Sequence, residues 1–310
     1  MKNKKIVVVG SINMDFVVRA PNLPNPGETV LGNELRTFPG GKGANQAIAA
    51  SRMGVDVTII GCVGKDSYGK TLVQNLQSNG VNTKLIKKTT DFHTGLASIT
   101  VSSTGENTIV VVPGANSLLT PEHIEKSEEA FIAGSLLILQ LEIPIPVVDY
   151  SIRMAKKHNM KVLLNPAPAL PLDDQIFSNV DYLVPNKSEL AVLTDSQQSD
   201  DIYYMVKKLN NKFNGVIVVT LGNNGVFVFD NGIVNHIPSY KVNVVDTTGA
   251  GDSFIAAFST ALCDGLVPMD AAKWGNAAAA ISIKKEGAQS SLPYRHEVQN
   301  LLEKQINHEN

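Results

Sequence analysis

The chain has little cysteine, a single tryptophan and no excess of charge of either sign. Its two cysteines, Cys62 and Cys263, lie far apart and form no C-x-x-C pair. They read as buried thiols of a reducing compartment rather than as a disulfide framework. The formal charge is −2 and the isoelectric point about 6.3, so no basic field recruits nucleic acid or anionic lipid. No apolar run approaches the ~18 residues of a membrane span. The N-terminus, Met1 to Lys5, carries three lysines but enters the short strand-like segment Ile6 to Val9 at once, which is too brief for a signal peptide's apolar region. A cytoplasmic protein is expected. The histidines His93, His123, His158, His236, His296 and His308 show no metal-ligand spacing such as H-E-x-x-H, and surface or capping roles are expected of them. A Walker A loop around Gly40, a G-x-S-x-G elbow and a G-x-G-x-x-G after the first strand are all missing. The last absence argues against a nicotinamide oxidoreductase.

What is present is ordinary for a folded enzyme: 43% apolar and 18% charged residues over 310 positions, enough for a substantial core. Runs apolar on both faces occur at Lys5–Val9, Val57–Gly61, Leu136–Leu141, Lys161–Asn165, Tyr182–Val184 and Val216–Leu221. Strands of that kind belong to a parallel sheet covered on both sides. Helices are predicted over Gly43–Met53, Pro121–Ile132 (after the N-cap candidate Thr120) and Ala250–Cys263. The alternation predicts a doubly wound α/β domain. Asp15–Phe38 and His93–Val112 lack a helical period, and Leu96–Val101 with Thr108–Val112 reads as a β-hairpin about Ser102–Asn107. Together these stretches, roughly 13–38 and 93–112, would make a small second sheet placed as a lid, within one domain spanning 1–310.

Polar groups gather at predicted strand ends and glycine turns. Pro39-Gly40-Gly41-Lys42-Gly43-Ala44-Asn45-Gln46 leads into an alanine-rich helix. Its glycines allow close backbone approach and its helix start offers N–H groups, as a polyhydroxylated ligand requires; a simple turn is the alternative. Asn13 and Asp15 follow the first strand, where α/β crevices collect ligands, with an Asx turn as the alternative. Glu142 sits at another strand end and is either a ligand acceptor or a solvated loop residue. The segment Asp246-Thr247-Thr248-Gly249-Ala250-Gly251-Asp252 says more. Its turn opens a helix, so backbone N–H groups and the helix dipole converge as an anion hole for a transferring phosphoryl group. Asp252 stands in the first turn, able to take a proton from a substrate hydroxyl.

These two segments resemble the paired signatures of the ribokinase (PfkB-type) carbohydrate kinase family, and the resemblance runs from Gly10-Ser11-Ile12-Asn13-Met14-Asp15 to Gly287-Ala288-Gln289. The runs Gly-Gly-Lys-Gly-Ala-Asn-Gln and Asn165-Pro166-Ala167-Pro168-Ala169 strengthen it. The resemblance implies a Rossmann-like αβα sandwich with a mostly parallel central sheet and a β-sheet lid, often a homodimer contact. It implies ATP-dependent phosphorylation of D-ribose at the O5 hydroxyl. Asn13, Asp15, Gly41, Lys42, Gly43, Asn45 and Glu142 would hold the sugar, Asp252 would be the general base, and Gly249, Ala250 and Gly251 the anion hole. Asn186 and Glu189, an Asn-x-x-Glu pair, would stand beside Mg²⁺ and the ATP phosphates. Thr220, Gly222, Gly225 and Gly251 would line the nucleotide, with Asn276, in the helix Ala271–Ile283, near the adenine. A potassium-like monovalent cation would take Asp246, Thr248, Ser282, Lys285, Gly287 and Ser291, several through backbone carbonyls.

Other acceptors within the family stay open on the sequence. A nucleoside would need aromatic stacking, for which Phe16, Phe38 and Phe92 are available. A sugar phosphate would need a basic clamp, for which Arg19 and Arg36 are available. A non-catalytic sugar sensor would have lost the base or the anion-hole glycines, and this chain has both.

Overall fold

The computed structural model describes residues 5–309; residues 1–4, with the first two N-terminal lysines, and residue 310 lie outside the described residues, as does the side chain of His308. The strands in chain order are β1 Lys5–Val9, β2 Asn13–Arg19, β3 Glu34–Gly40, β4 Asp56–Gly64, β5 Asn82–Thr89, β6 Gly95–Val101 and β7 Asn107–Val112. They continue with β8 Leu136–Leu139, β9 Lys161–Leu164, β10 Tyr182–Leu183, β11 Val216–Thr220, β12 Val226–Asp230 and β13 Ile233–Ile237. A nine-stranded sheet runs β13-β12-β11-β10-β9-β8-β1-β4-β5, and a four-stranded sheet runs β3-β2-β6-β7. From β11 to β5 the large sheet is parallel, while β12 and β13 add an antiparallel edge.

Alternation within each strand divides the interior into two cores. Val7, Val9, Leu137 and Leu139 pack on one face of the large sheet, while Ile6, Val8, Leu136 and Ile138 pack on the other. A strand with β-branched or branched residues on both sides is stable only with helices over both faces, which gives the αβα sandwich. The strand order reverses at β1, whose neighbours are β4 on one side and β8 on the other. Open α/β sheets bind ligands beyond the carboxyl ends of strands at such a point. The segments leaving β1 and β8 carry Asn13, Asp15 and Glu142.

The helices at this end are Lys42–Arg52, Ala250–Cys263 and Pro268–Ser282. The predicted helix over Pro121–Ile132 is shorter. An α-helix covers Pro121–Glu125, and a separate 3₁₀ turn covers Glu128–Ala130. Ser127 ends the first by donating its hydroxyl to the His123 carbonyl at 2.7 Å, which takes an acceptor the next turn would have used. Thr120 does cap the helix, in a reciprocal arrangement with His123. The second sheet contains the predicted hairpin as β6 and β7, antiparallel, closed by Ser102 N–H donating to Glu106 O at 2.9 Å. β2 and β3 complete it from the first irregular stretch. Among the cysteines, Cys62 is buried and Cys263 only partly so, and neither forms a disulfide. No helix among the described residues is long and apolar enough to cross a membrane.

Candidate active site

The corner after β1 is built by close backbone approach. A Cβ on Gly43 would stand 2.6 Å from the Gly10 carbonyl carbon and the Ser11 nitrogen, so only glycine lets the Lys42–Arg52 helix press its first turn onto this corner. Gly41 precedes the helix with φ 88°, in the left-handed region. Ala44 N–H donates to Ser11 O at 2.9 Å, and Lys42 N–H donates to Glu142 Oε2 at 3.2 Å. Glu142 also accepts from the Ser11 hydroxyl. A carboxylate thus caps the positive end of the helix dipole.

Asn13 is buried, and its Oδ1 accepts from Asn116 Nδ2 at 2.7 Å; Asn116 Oδ1 in turn accepts from Ile12 N–H at 3.0 Å. Asn116 had no local signal in sequence, because it follows β7 and meets the β1–β2 corner only in space. Asp15 lies on β2 against the end of β3, where a Cβ on Gly40 would come within 2.1 Å of the carboxylate. No hydrogen bond from a described residue reaches the Asp15 carboxylate. Burial, and then the charges of Glu142 and Asp252, push its pKa from 3.8 to about 7 against the pull of Lys42.

Asp252 is 8% exposed and lies in the first turn of Ala250–Cys263. Gly249 enters that helix with φ 79°, while a side chain at Gly251 would meet open space. The Ala250 N–H turns back to Thr247 O at 3.2 Å. Asn45 Nδ2 and Gln46 Nε2 each donate to one Asp252 oxygen at 2.9 Å. Burial raises the Asp252 pKa more than Lys42, Asn45 and Gln46 lower it. Lys42 loses by burial but is held above its ordinary value by Asp252, Glu142, Glu189 and Asp15. The predicted sugar and base residues therefore form one electrostatic cluster around a single lysine.

Asn186 and Glu189 cap the start of a helix reciprocally. Glu189 accepts from Asn186 N–H and Nδ2, both at 2.8 Å, and Asn186 Oδ1 accepts from Glu189 N–H at 2.8 Å. Glu189 is nonetheless buried, and burial raises its pKa despite Asn186 and Lys42. Thr220 forms a bridge with Asn186 at the end of β11. Beyond it opens a cleft of about 790 Å³ lined by Gly222, Pro238, Tyr240, Val244, Asn276 and Ile283, among others. Asn276 is buried rather than on an exposed helix face, and donates to Pro238 O at 2.8 Å. Gly225 does not line the cleft. Its φ of 82° and its N–H donation to Gly222 O at 3.0 Å close the turn between β11 and β12, and a Cβ there would run into Ile237 O.

The loops holding the predicted cation ligands meet in space. Val245 N–H donates to Ile283 O at 2.8 Å, and Asp246 accepts from Gly287 N–H at 2.8 Å and from Thr248 N–H at 2.9 Å. Burial raises the Asp246 carboxyl, but these hydrogen bonds outweigh it and hold it below the usual range. Ser282 and Ser291 turn their hydroxyls to Ala279 O and Ala288 O within their own helices. Lys285 pairs its ammonium with Glu297. No cluster of three His, Cys, Asp or Glu fit for a metal occurs among the described residues. His93, His123, His158 and His236 engage neighbouring backbone, hydroxyl or carboxylate groups.

A family model for the pfkB family of carbohydrate kinases matches residues 3–295. The chain belongs to that family. It is 40% identical over 302 residues to the ribokinase of Haemophilus influenzae, covering 97% of this chain and 99% of that protein. The ribokinase structure from Thermotoga maritima superposes with a TM-score of 0.87 at 37% identity, over 97% of this chain and 99% of its own. The structure of Arabidopsis thaliana ribokinase complexed with ribose and ATP gives a TM-score of 0.87 at 31% identity, over 96% and 98% of the two chains.

Proposed function

We propose that this carbohydrate kinase transfers the γ-phosphoryl group of ATP to the O5 hydroxyl of D-ribose, with Asp252 as general base. The observation that carries the reading is the burial of Asp252 at the start of Ala250–Cys263, beside Lys42 and Asn45 and within the field of Asp15 and Glu142. A carboxylate with a raised pKa is a stronger base toward an alcohol, and a neighbouring helix N-terminus suits the charge that the phosphoryl oxygens carry. In this reading Asn13, Asp15, Gly41, Lys42, Gly43, Asn45 and Glu142 hold the sugar hydroxyls. Asp15, with no internal hydrogen bond, is free to accept two of them. The proton of O5 passes to Asp252 as the new O–P bond forms and the bond to ADP breaks. Asn186, Glu189, Thr220, Gly222, Gly251 and Asn276 form the nucleotide side, with Gly225 shaping the turn behind it and the apolar part of the cleft taking the base.

Glu189 has both oxygens engaged by Asn186 yet stays ionisable and buried, which suits Mg²⁺ held through water. The Asp246, Thr248, Ser282, Lys285, Gly287 and Ser291 loops offer a carboxylate and carbonyl oxygens, a donor set fit for K⁺. When bound, these cations neutralise phosphate charge and stiffen the anion-hole loop. Two cysteines outside any disulfide fit a reducing cytoplasm. Two copies would pair through the small sheet, whose β7 is exposed along its length at Ile109, Val110, Val111 and Val112.

Arg19 and Arg36 argue against a phosphorylated acceptor, because both guanidinium groups pair with Glu34 and Glu286. Phe16 packs edge-on against Tyr68 and is likewise engaged. The test is ADP release with ribose, fructose, adenosine and fructose 6-phosphate, with and without potassium, for wild type and Asp252→Asn. The variant should lose turnover on ribose by roughly 10²–10⁴-fold while calorimetry still registers ribose and ATP. Near-normal turnover would remove Asp252 from the role.

A further inference from the structure

Asp252 is the meeting point of two chains of side-chain amides, all buried except the partly buried Asn75 at the end of one of them. On one side Gln46 Nε2 donates to Asp252 Oδ1 at 2.9 Å and to Asn165 Oδ1 at 3.3 Å, while Gln46 Oε1 accepts from Gln140 Nε2 at 2.6 Å. On the other side Asn45 Nδ2 donates to Asp252 Oδ2, Asn45 Oδ1 accepts from Gln289 Nε2 at 2.9 Å, and Gln289 Oε1 accepts from Asn75 Nδ2 at 2.6 Å. We propose that Gln46 is a positioning residue for the reaction, fixing the plane and the ionised form of the Asp252 carboxylate through an amide chain of set polarity. The inference rests on the reading of Asp252 as the base.

Polarity is set by a backbone acceptor. Asn165 Nδ2 donates to Val184 O at 3.0 Å, so its Oδ1 must face Gln46. Gln46 then has to present its NH₂ group, the only end able to serve both Asn165 and Asp252, and its Oε1 is left to Gln140. Gln140 Oε1 has no partner among the described residues, so the chain keeps this direction at the cost of one buried acceptor. Consecutive residues on a helix point about 100° apart, and Asn45 and Gln46 use that angle to grip different oxygens of one carboxylate. A single donor would leave the carboxylate free to rotate; two donors on separate oxygens hold the basic lone pair toward the crevice. Gln46 is 0% exposed and touches neither proposed substrate, so it acts through Asp252.

Its N–H also favours the ionised base. The other charged groups facing Asp252 are Lys42 from the same helix as Gln46, Glu142 from the segment after β8, Asp15 from β2 and Glu189 from the helix after β10. None of them contacts Gln46 by a hydrogen bond, so among the charged groups only Asp252 loses a partner when Gln46 is replaced. A buried glutamine serving only as core filler would affect stability and leave the pH profile where it was.

The experiment is the kcat profile of ribose phosphorylation between about pH 5 and 9 for wild type, Gln46→Met, Gln46→Glu and Asp252→Asn, with folding checked by circular dichroism. Gln46→Met should move the acid limb up by about one pH unit and lower the plateau about tenfold, with KM for ATP within about twofold. Gln46→Glu should move the limb further, since two carboxyl groups in contact retain a shared proton. A folded Gln46→Met with an unmoved limb overturns the proposal while Asp252→Asn stays inactive; turnover by Asp252→Asn overturns the base assignment itself. If Gln46→Met does not fold, Gln140→Met, one link further away, carries the test. It should show a smaller shift in the same direction, and no shift there overturns the proposal.

Discussion

Asp15→Asn should stabilise the ligand-free protein while weakening its hold on the sugar. The carboxyl pKa rises from 3.8 to about 7 through burial and the charges of Glu142 and Asp252. At 1.36 kcal/mol for each tenfold, that rise corresponds to about 4 kcal/mol; Asp15 is partly exposed, and solvent screening brings the working figure to about 2 kcal/mol. The sign follows from proton counts. Between the unfolded value and about 7 the folded chain binds more protons at this site than the unfolded chain, so stability falls as pH rises through that window. Asparagine has no charge to bury. At pH 8 the variant should melt roughly 4 °C above wild type, and the gap should close as pH falls toward the unfolded carboxyl value. Calorimetry at the same pH should give ribose binding weaker by on the order of 100-fold, from the loss of charged acceptors for its hydroxyls. The assay is a set of melts from acid to pH 8 with and without ribose, which should raise the wild-type midpoint and leave the variant's unmoved. A variant that melts at or below wild type at pH 8 would refute the reasoning.

Three further outcomes test other parts of the site. Gly43→Ala places a methyl group 2.6 Å from backbone atoms of Gly10 and Ser11; it should cost about 1–3 kcal/mol in melts and raise KM for ribose at least about tenfold. Asp246→Asn removes the carboxylate held by Thr248 and Gly287. The ratio of rates with and without potassium should fall to about one, and an unchanged ratio would move the cation elsewhere. Val110→Lys puts a charge on β7, where Val110 is 63% exposed; sedimentation should show dimer giving way to monomer, whereas an unchanged mass would place the contact on another surface.

The sequence was most legible where one local pattern decides the structure. β1 and the helix Ala250–Cys263 have the boundaries that their apolar runs predict, and the remaining predicted strands differ by a residue or a few at their ends. β5 and β13 are hard to read because each is partly exposed and mixes Lys, Asn or His into its run, so neither looks buried or cleanly alternating; β12, Val-Phe-Val-Phe-Asp, is an apolar run of only five residues, too short for its period to separate strand from buried helix. Pro121–Ile132 was over-extended because the Ser127-to-His123 bond that ends the helix is a side-chain choice a periodicity cannot register. At the site, Asp252 and the glycines stood out because turn chemistry and helix start coincide in a few residues. Asn116, Gln140 and Gln289 carried no such mark. Their partners Asn13, Gln46 and Asn45 are reached only through the fold.

The electrostatics of the cluster explain why one chain segment carries so much of the signature. Lys42 is the cation shared by Asp15, Glu142, Glu189 and Asp252, four carboxyl groups brought from four different elements. In three of them, Asp15, Glu189 and Asp252, burial prevails and the pKa rises. A ligand-free site of this kind is kept folded by its surroundings rather than by its own pairing: backbone contact at Gly43, the cap from Glu142 and the amide grip on Asp252 fix groups that would otherwise separate. In the proposed reading, hydroxyl donors arriving at Asp15 and Asp252 would relieve part of that cost and leave binding energy for holding O5 against its base. The same residues that make Gly41–Gln46 recognisable in sequence are those whose replacement must disturb this balance first.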